Sequence, residues 1–553
     1  MPISDQQYQD WLRSDTAARV MLVEASYYDS GLHTVYISNS AYVSRPTDTP
    51  SNQPYDDAVL SIPQFSSSLS DALSGFTVPS WGDIVISNED YSRDSWLDYS
   101  WDGRPVSILF GDASWPRSDF RYILTGVIAA PPTVPSAASI ALPIRDKQWA
   151  LNVPIQTKLV GEPVLTADAG GKTYKVSDSA VTSIDKVWDN GTLLSAPAQY
   201  TTSPATGKFT LVAAAVGRVT CEFTGGNATK GTVVPLAFGP CFNISPVSIN
   251  TSLLKYQVHD GQIEDITDVR DNGVSVGFTK DLLAGTFTLS VSAVGEITAD
   301  VLGAKPGGVY LATCGDQVNH IVTTRSSLAS SDVNSTSLAA FVALCPQPIG
   351  LYVRDRRNVL DCLDELVNSV GSWYTFDRSG KMIFGRMDVP SGSPVLELTA
   401  DDVVFGTLKV TKCSLPWATA RIGYKPNYTQ QSQVAGSVTT ANRLLYSLPM
   451  QYASRNKQSV KTAHLLALEP DAKATLLASA TDTGAECDRL LTLWGDVRCT
   501  YSAECITSPL TLNVGSEIKL THPRYGMSAG MPLIVVGIAE SITTRRVTLT
   551  MWG

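Results

Sequence analysis

The chain of 553 residues holds no lysine before Lys147, no cysteine before Cys221 and no apolar run of membrane-spanning length. Each absence narrows the function. Residues 1–125 carry seventeen Asp or Glu against seven Arg, a balance of −10; this equals the net charge of the whole chain, so residues 126–553 sum to zero. A segment this acidic is poorly suited to holding nucleic acid by neutralising phosphates. It suits solubility, or a surface that must not retain DNA. The nine cysteines are odd in number and form no Cys-x-x-Cys pair. Reduced, packed thiols are therefore expected, without a disulfide frame or a zinc site. The five histidines stand singly, so no metal or cofactor is expected. "MPISDQQYQDWLRSD" lacks the basic and apolar parts of an export signal, which predicts a soluble chain with no stable membrane association. There is no Gly-x-Ser-x-Gly, no phosphate-binding loop and no dinucleotide fingerprint, and no catalytic residue is predicted.

What is abundant points to β structure. Thr, Ser, Tyr and Val are frequent, and 40 Gly with 31 Pro supply turns. At roughly 150 residues per domain the length suits three or four domains. The most informative feature is a repetition. "YKVSDSAVTSIDKVWDNG" at 174–191 returns as "YQVHDGQIEDITDVRDNG" at 256–273, and "GKFTLVAAAVGRVTCEFTG" at 207–225 returns as "GTFTLSVSAVGEITADVLG" at 285–303. The offset changes from 82 to 78 between the two blocks, so the length difference falls in the turn-rich stretch after Gly191. An indel confined to a turn is the behaviour of a duplicated module. Tyr174 and Val176, Phe209 and Leu211, and Phe287 and Leu289 alternate with polar neighbours as in half-buried strands. Asp189-Asn190-Gly191 and Asp271-Asn272-Gly273 are predicted hairpin turns, because Asn and Gly tolerate positive φ. A calcium loop would need further acidic ligands at alternate positions, and Thr192 and Leu193 supply none.

Around the repeats, residues 3–15 predict a short helix with Tyr8, Trp11 and Leu12 on one side. Strand patterns follow from Arg19 to the Pro-rich break near Pro131. Residues 334–345, 358–371 and 472–496 predict helices; Asn358 is placed to cap the second and Gly371 to end it. Two strands flanking Asp377-Arg378-Ser379-Gly380 follow, and the chain closes in strands. "NEDYSRDSWLDYSWDGR" (88–104) sets Asp90, Asp94, Asp98 and Asp102 four apart, with Trp96 and Trp101 among them. On a helix these carboxylates would repel by about a few tenths of a kcal/mol per pair, so loop and short strand are expected. Three readings stay open for this stretch: a glycosidase-like acid pair with stacking rings, a partner- or sugar-contacting surface, or a solvated connection with locally packed aromatics.

"RVMLVEASYYDSGLHTVYISNSAYV", "SWGDIVISNED", "LDYSWDGRPVSILFGD" and "RYILTGVI" resemble the first tube-forming domain of the tail-hub (baseplate hub) proteins of long-tailed bacteriophages. "PLAFGPCFNISPV" resembles a phrase of their inserted β modules, and "VLDCLDELVNSVGSWYTFDRSGKMIFGRM" their helix-plus-hairpin. "LNVGSEIKLTHPRYGMSAGMPLIVVGIAESITTRRVTLTMWG" is similar to the closing strands of their second tube domain. The resemblance implies a mainly β fold with a few helices, in which two tube-type β-barrel domains flank a pair of small duplicated β-sandwich-like modules. The expected division is 1–170 (tube-type, with the short helix), 171–248 and 249–310 (the modules), 311–395 (helix plus hairpin) and 396–553 (tube-type, with a helix). It further implies a non-enzymatic virion protein of the tail tip, a homotrimer whose paired tube domains form a pseudo-sixfold ring. Implied partners are the distal tail or tube protein, the tape measure protein and tail-tip or fibre proteins, with DNA only as passing cargo. Asp90, Asp94, Trp96, Asp98, Trp101 and Asp102 are then candidates to contact a partner or face the channel. The alternative is an adhesin that binds a host glycan or receptor through Trp96, Trp101 and loops such as 44–57.

Overall fold

Ser4 opens the first helix, α1 (Asp5–Arg13), by a reciprocal cap with Gln7. Tyr8 and Leu12 are the buried face, as their spacing predicts. The Tyr8 hydroxyl donates to the Phe110 carbonyl (3.1 Å) and the Trp11 indole to Asp112 (2.9 Å), which fixes the helix to a strand edge. The computed structural model describes residues 2–553 except 71, 72, 77, 81, 162, 167, 169, 226–231, 507 and 542–545. Trp81 and residues 542–545, which fall within stretches that carry the tail-hub resemblance, thus lie outside the described residues.

α1 packs on a large sheet ordered Tyr42–Val43, Pro54–Asp57, Leu32–Ser38, Arg19–Tyr28, Pro105–Asp112, Arg121–Ile128, Ser139–Arg145, Asp83–Ser87, Val59–Ser61. Period-two alternation explains its two covered faces. Met21, Val23 and Ala25 face the main core, whereas Val20 and Leu22 face a cluster of Tyr42, Tyr55, Leu109 and Phe120. The chain's last strands build a second large sheet, ordered Leu396–Leu398, Glu517–Leu520, Met531–Ser541, Arg546–Trp552, Arg498–Cys505, Lys409–Ser414. Its Ile518, Leu533, Val535, Leu549 and Met551 join Val23, Ile84, Ile108 and Ile140 in one core. The two sheets are also stitched by backbone. Phe65–Ser68, from the N-terminal part, pairs antiparallel with Met531–Ser541, and Gly75–Phe76 enters a separate three-stranded sheet by pairing parallel with Ser372–Phe376. Nothing in the polar text of residues 62–80 announces this crossing.

The two repeats are sandwiches of identical topology. In the first, one sheet runs Thr192–Leu193, Ser183–Asp189, Val219–Thr224, Lys158–Gly161, with Thr232–Val233 added at the edge, and the other runs Val164–Thr166, Thr173–Lys175, Lys208–Leu211, Tyr200–Ser203. In the second, the matching orders are Val274–Ser275, Ile263–Asp271, Ile297–Ala304, Pro240–Ile244 and Val247–Asn250, Lys255–Gln257, Thr286–Leu289, Phe278–Asp281. Each repeat therefore includes two strands upstream of the duplicated text. Strand pairing starts the modules at Lys158 and Pro240, ahead of the expected 171 and 249. The buried Phe209 and Phe287 stack on Tyr174 and Tyr256 in the two cores with the same centroid separation, 5.3 Å.

Three helices, α2 (Cys314–Arg325), α3 (Ser335–Leu344) and α4 (Val359–Ser369), enclose a second core with the hairpin Ser372–Phe376/Met382–Arg386. α4 buries Val359, Leu363, Leu366 and Val367, and Gly371 leaves it at φ 65°. Asn358 sits at the N-cap position, but its side-chain amide donates to Asn152 (2.7 Å). Three more helices follow, α5 (Thr440–Ser447), α6 (Gln458–Ala463) and α7 (Ala480–Trp494). The helix read from residue 472 begins only at Ala480, because the Ser479 hydroxyl caps the Asp482 amide (3.1 Å). One expectation fails outright. Cys413 and Cys499 form a disulfide, since adjacent antiparallel strands place them opposite each other across 86 residues. The other seven cysteines are free and buried.

Candidate functional site

Residues 88–104 form a turn and a short 3₁₀ segment, Asp94–Asp98. Trp96 and Trp101 are buried, and the Trp101 indole donates to the Trp96 carbonyl (2.7 Å) while its ring packs on Tyr27. This corrects the expectation that these two rings offer a contacting surface: they anchor the loop to the core. Asp90, Asp94, Asp98 and Asp102 are exposed. Asp94 accepts from the Asn88 amide (2.7 Å), and Ser92 hydrogen bonds hold the Asp90 carboxyl below the ordinary range. A glycosidase acid needs the opposite shift. Beside these acids stand Tyr91, 64% exposed, and Leu97, 47% exposed. The loop is a fixed acidic knob with two apolar side chains.

The repeat turns have equivalent geometry. Asn190 and Gly191 take φ 47° and 77°, and Asn272 and Gly273 take 49° and 82°. Both are two-residue hairpin turns with positive φ at each position. The Asp189 carboxylate accepts from the amides of Val216 (2.7 Å) and Gly217 (2.9 Å); Asp271 does the same for Val294 and Gly295 (both 2.6 Å). Each turn also meets the next unit of the chain. A Cβ at Gly191 would lie 2.1 Å from Leu253 of the second module, and one at Gly273 would lie 2.9 Å from Val434. The Ala435 amide donates to the Asn272 carbonyl (2.9 Å).

Two ionic clusters hold the units together. Asp260 of the second module faces Lys158 of the first (3.2 Å) and Arg325 of α2 (3.4 Å), while Lys158 also meets the buried Glu222 (3.2 Å). Arg378, at the tip of the 372–386 hairpin, pairs with Glu540 and donates to the carbonyls of Leu512 (2.8 Å) and Ile123 (3.4 Å). That single side chain touches both large sheets.

A cavity of about 540 Å³ lies against the second sheet, between α7 and the Phe65–Ser68 crossing segment. Its aromatic wall is Trp417, Trp494 and Trp552: the first two stack at 5.6 Å, and Trp494 meets Trp552 edge-on at 5.6 Å. Lys412, Arg421, Lys473 and Arg498 line it, against one carboxylate, Asp471. Arg498 lies over the Trp552 ring and has only a long 3.9 Å approach to Asp496. Lys412, Arg421 and Lys473 make no ion pair among the described residues. Burial draws the Lys473 ammonium below the ordinary lysine range. Lys412 and Ser414 stand opposite Thr500 and Arg498, so the 413–499 disulfide joins the two strands from which these four lining residues come. Sequence reading missed this site, because its residues come from positions scattered between 68 and 552.

Among the described residues no group of three His, Cys, Asp or Glu could hold a metal ion, and no helix is long and apolar enough to cross a membrane. No protein-family model and no curated protein matches the chain. Solved structures do match. The chain is similar to a protein in the virion of a native gene transfer agent particle (12% identity, 59% of this chain and 85% of that chain, TM-score 0.41). It is likewise similar to the 43 kDa tail protein of prophage MuSo2 from Shewanella oneidensis (9% identity, 96% and 98%, TM-score 0.36), and to prophage tail protein gp18 from Listeria monocytogenes EGD-e (12% identity, 58% and 91%, TM-score 0.26).

Proposed function

We propose that this chain is a structural, non-catalytic virion protein of a bacteriophage tail tip. It acts as a homotrimeric hub whose paired large sheets continue the tail tube as a ring. The observation that carries this reading is the single core shared by the first and last sheets, locked by the Phe65–Ser68 crossing and by Arg378. Such a joint makes two sheet units one rigid wall segment, with the duplicated modules carried between them in the chain. The modules and the ring's rim meet the distal tail or tube protein, the tape measure protein and tip or fibre proteins. DNA passes through as cargo, and the excess negative charge of residues 1–125 keeps it from sticking. The adhesin alternative loses its basis in Trp96 and Trp101, both of which are buried. Light scattering on the purified full chain tests the reading: a mass three times the 59.3 kDa of one chain is expected. A monomer at every concentration, alone or with the tube protein, overturns it.

A further inference from the structure

The tryptophan-walled cavity is cationic on a chain that is acidic overall. It gathers four cations against one carboxylate, a surplus of three, whereas the chain carries −10. Structural ion pairs do not neutralise these charges: among the described residues Lys412 and Arg421 make none, and the Glu486 carboxylate that acts on Lys473 is already held by Arg489. The acidic knob at 88–104 is its counterpart: Glu89, Asp90, Asp94, Asp98 and Asp102 against Arg93 and Arg104 leave it three negative charges. The knob also projects Tyr91 and Leu97, apolar groups that match an aromatic wall. We propose that the cavity receives the 88–104 knob of a second copy of this chain.

Three observations support that occupant over a free small molecule. The charges are equal and opposite, and both partners are held in shape before they meet. The knob is anchored through Trp96 and Trp101, and the disulfide joins the two strands that supply Lys412 and Arg498. Pre-organisation of this kind removes ordering cost at association. The cavity also opens beside Lys409–Ser414, the last strand of its sheet, whose outer edge has no strand partner among the described residues. Lysines on such an edge discourage neutral strands and admit an acidic neighbour. A knob of one copy in the cavity of the next is a heterologous contact, and repeated contacts of that type close into a ring when the rotation permits. The inference rests on the hub reading and names the contact that would close its ring.

Charge reversal on the full-length chain tests it, with self-association followed by analytical ultracentrifugation. Lys412→Glu/Arg421→Glu and, separately, Asp94→Lys/Asp98→Lys should each weaken association at least tenfold while keeping the wild-type circular dichroism and melting profile. An equimolar mixture of the two variants should form mixed pairs but no closed ring of three, since any such ring sets one variant beside itself, whereas the four substitutions combined in one chain should restore most of the affinity. Raising salt from 50 to 500 mM should weaken the wild type and the combined variant alike. A wild type that forms trimers while both charge-reversed pairs do so equally well overturns this contact and leaves the hub reading standing. A wild-type chain that never self-associates overturns both.

Discussion

Arg378 is the residue on which the joint between the two large sheets turns. Its guanidinium is paired with Glu540 of the second sheet and donates to the carbonyls of Ile123, in the first sheet, and Leu512, in a loop. Removing one partner leaves a buried charge uncompensated, so Arg378→Met should cost about 3–5 kcal/mol in denaturant unfolding, while Arg378→Met/Glu540→Leu should recover most of it. Two other buried groups set the pH response. Burial pushes the Asp146 carboxyl up to about 7, so the folded state binds a proton that the unfolded chain releases near pH 4. The stability this contributes is complete below that lower value and is lost as pH rises through about 7. His259 has the opposite sign. Burial lowers it to about 3, and its ring accepts from the Ala237 amide (3.0 Å) as a neutral base. Its contribution is complete above about 6.5 and is lost as pH falls towards 3. Melting temperatures measured from pH 4 to 8 should fall at both ends. Asp146→Asn should flatten the alkaline side and His259→Gln the acid side. At this scale the sequence was only partly legible. Asn-Gly announced positive φ through its own chemistry, whereas the burial of Trp96, Trp101 and Asp146 depends on strands far away in the chain.

Among the elements, the duplicated modules were the most legible and the crossing segment the least. The repeated Asp-Asn-Gly and Ala-Val-Gly phrases persist where the backbone needs them: an Asp carboxylate ties the second turn to the first in both copies. The upstream strands Lys158–Gly161 and Pro240–Ile244 share almost no text, because a strand's place in a sheet is set by backbone pairing and asks of its side chains only that they suit the faces they cover. Residues 62–80 carry no strand signal for a different reason. A Ser-rich strand carries no apolar alternation of its own, and its place is set by the partner Met531–Ser541. The Cys413–Cys499 bond likewise follows from register, which residue counting cannot supply. The turn glycines give an element-scale prediction. Gly191→Ala adds strain at φ 77° and a Cβ 2.1 Å from Leu253. It should lower stability by about 1–2 kcal/mol and increase proteolysis between the modules. Ala at Asn190 should cost less, because the neighbouring Gly remains.

For the whole molecule, the two ends of the chain meet in one core and the modules are inserted between them in sequence. Composition indicated the β class, and the repeat indicated a module pair. The union of the first and last sheets was legible only in outline, because it is a property of contacts separated by hundreds of residues. The cationic cavity lay beyond sequence reading for the same reason. The first feature makes the two ends of the chain one rigid body, and the second is the proposed seat for a second copy. Images of the purified chain assembled with the tail-tube protein of its own particle test the hub reading most directly. A closed ring of three copies around an open axis, coaxial with the tube and with six sheet units in its wall, is expected. Single copies bound along the tube's outer surface, with no open axis through them, would contradict it.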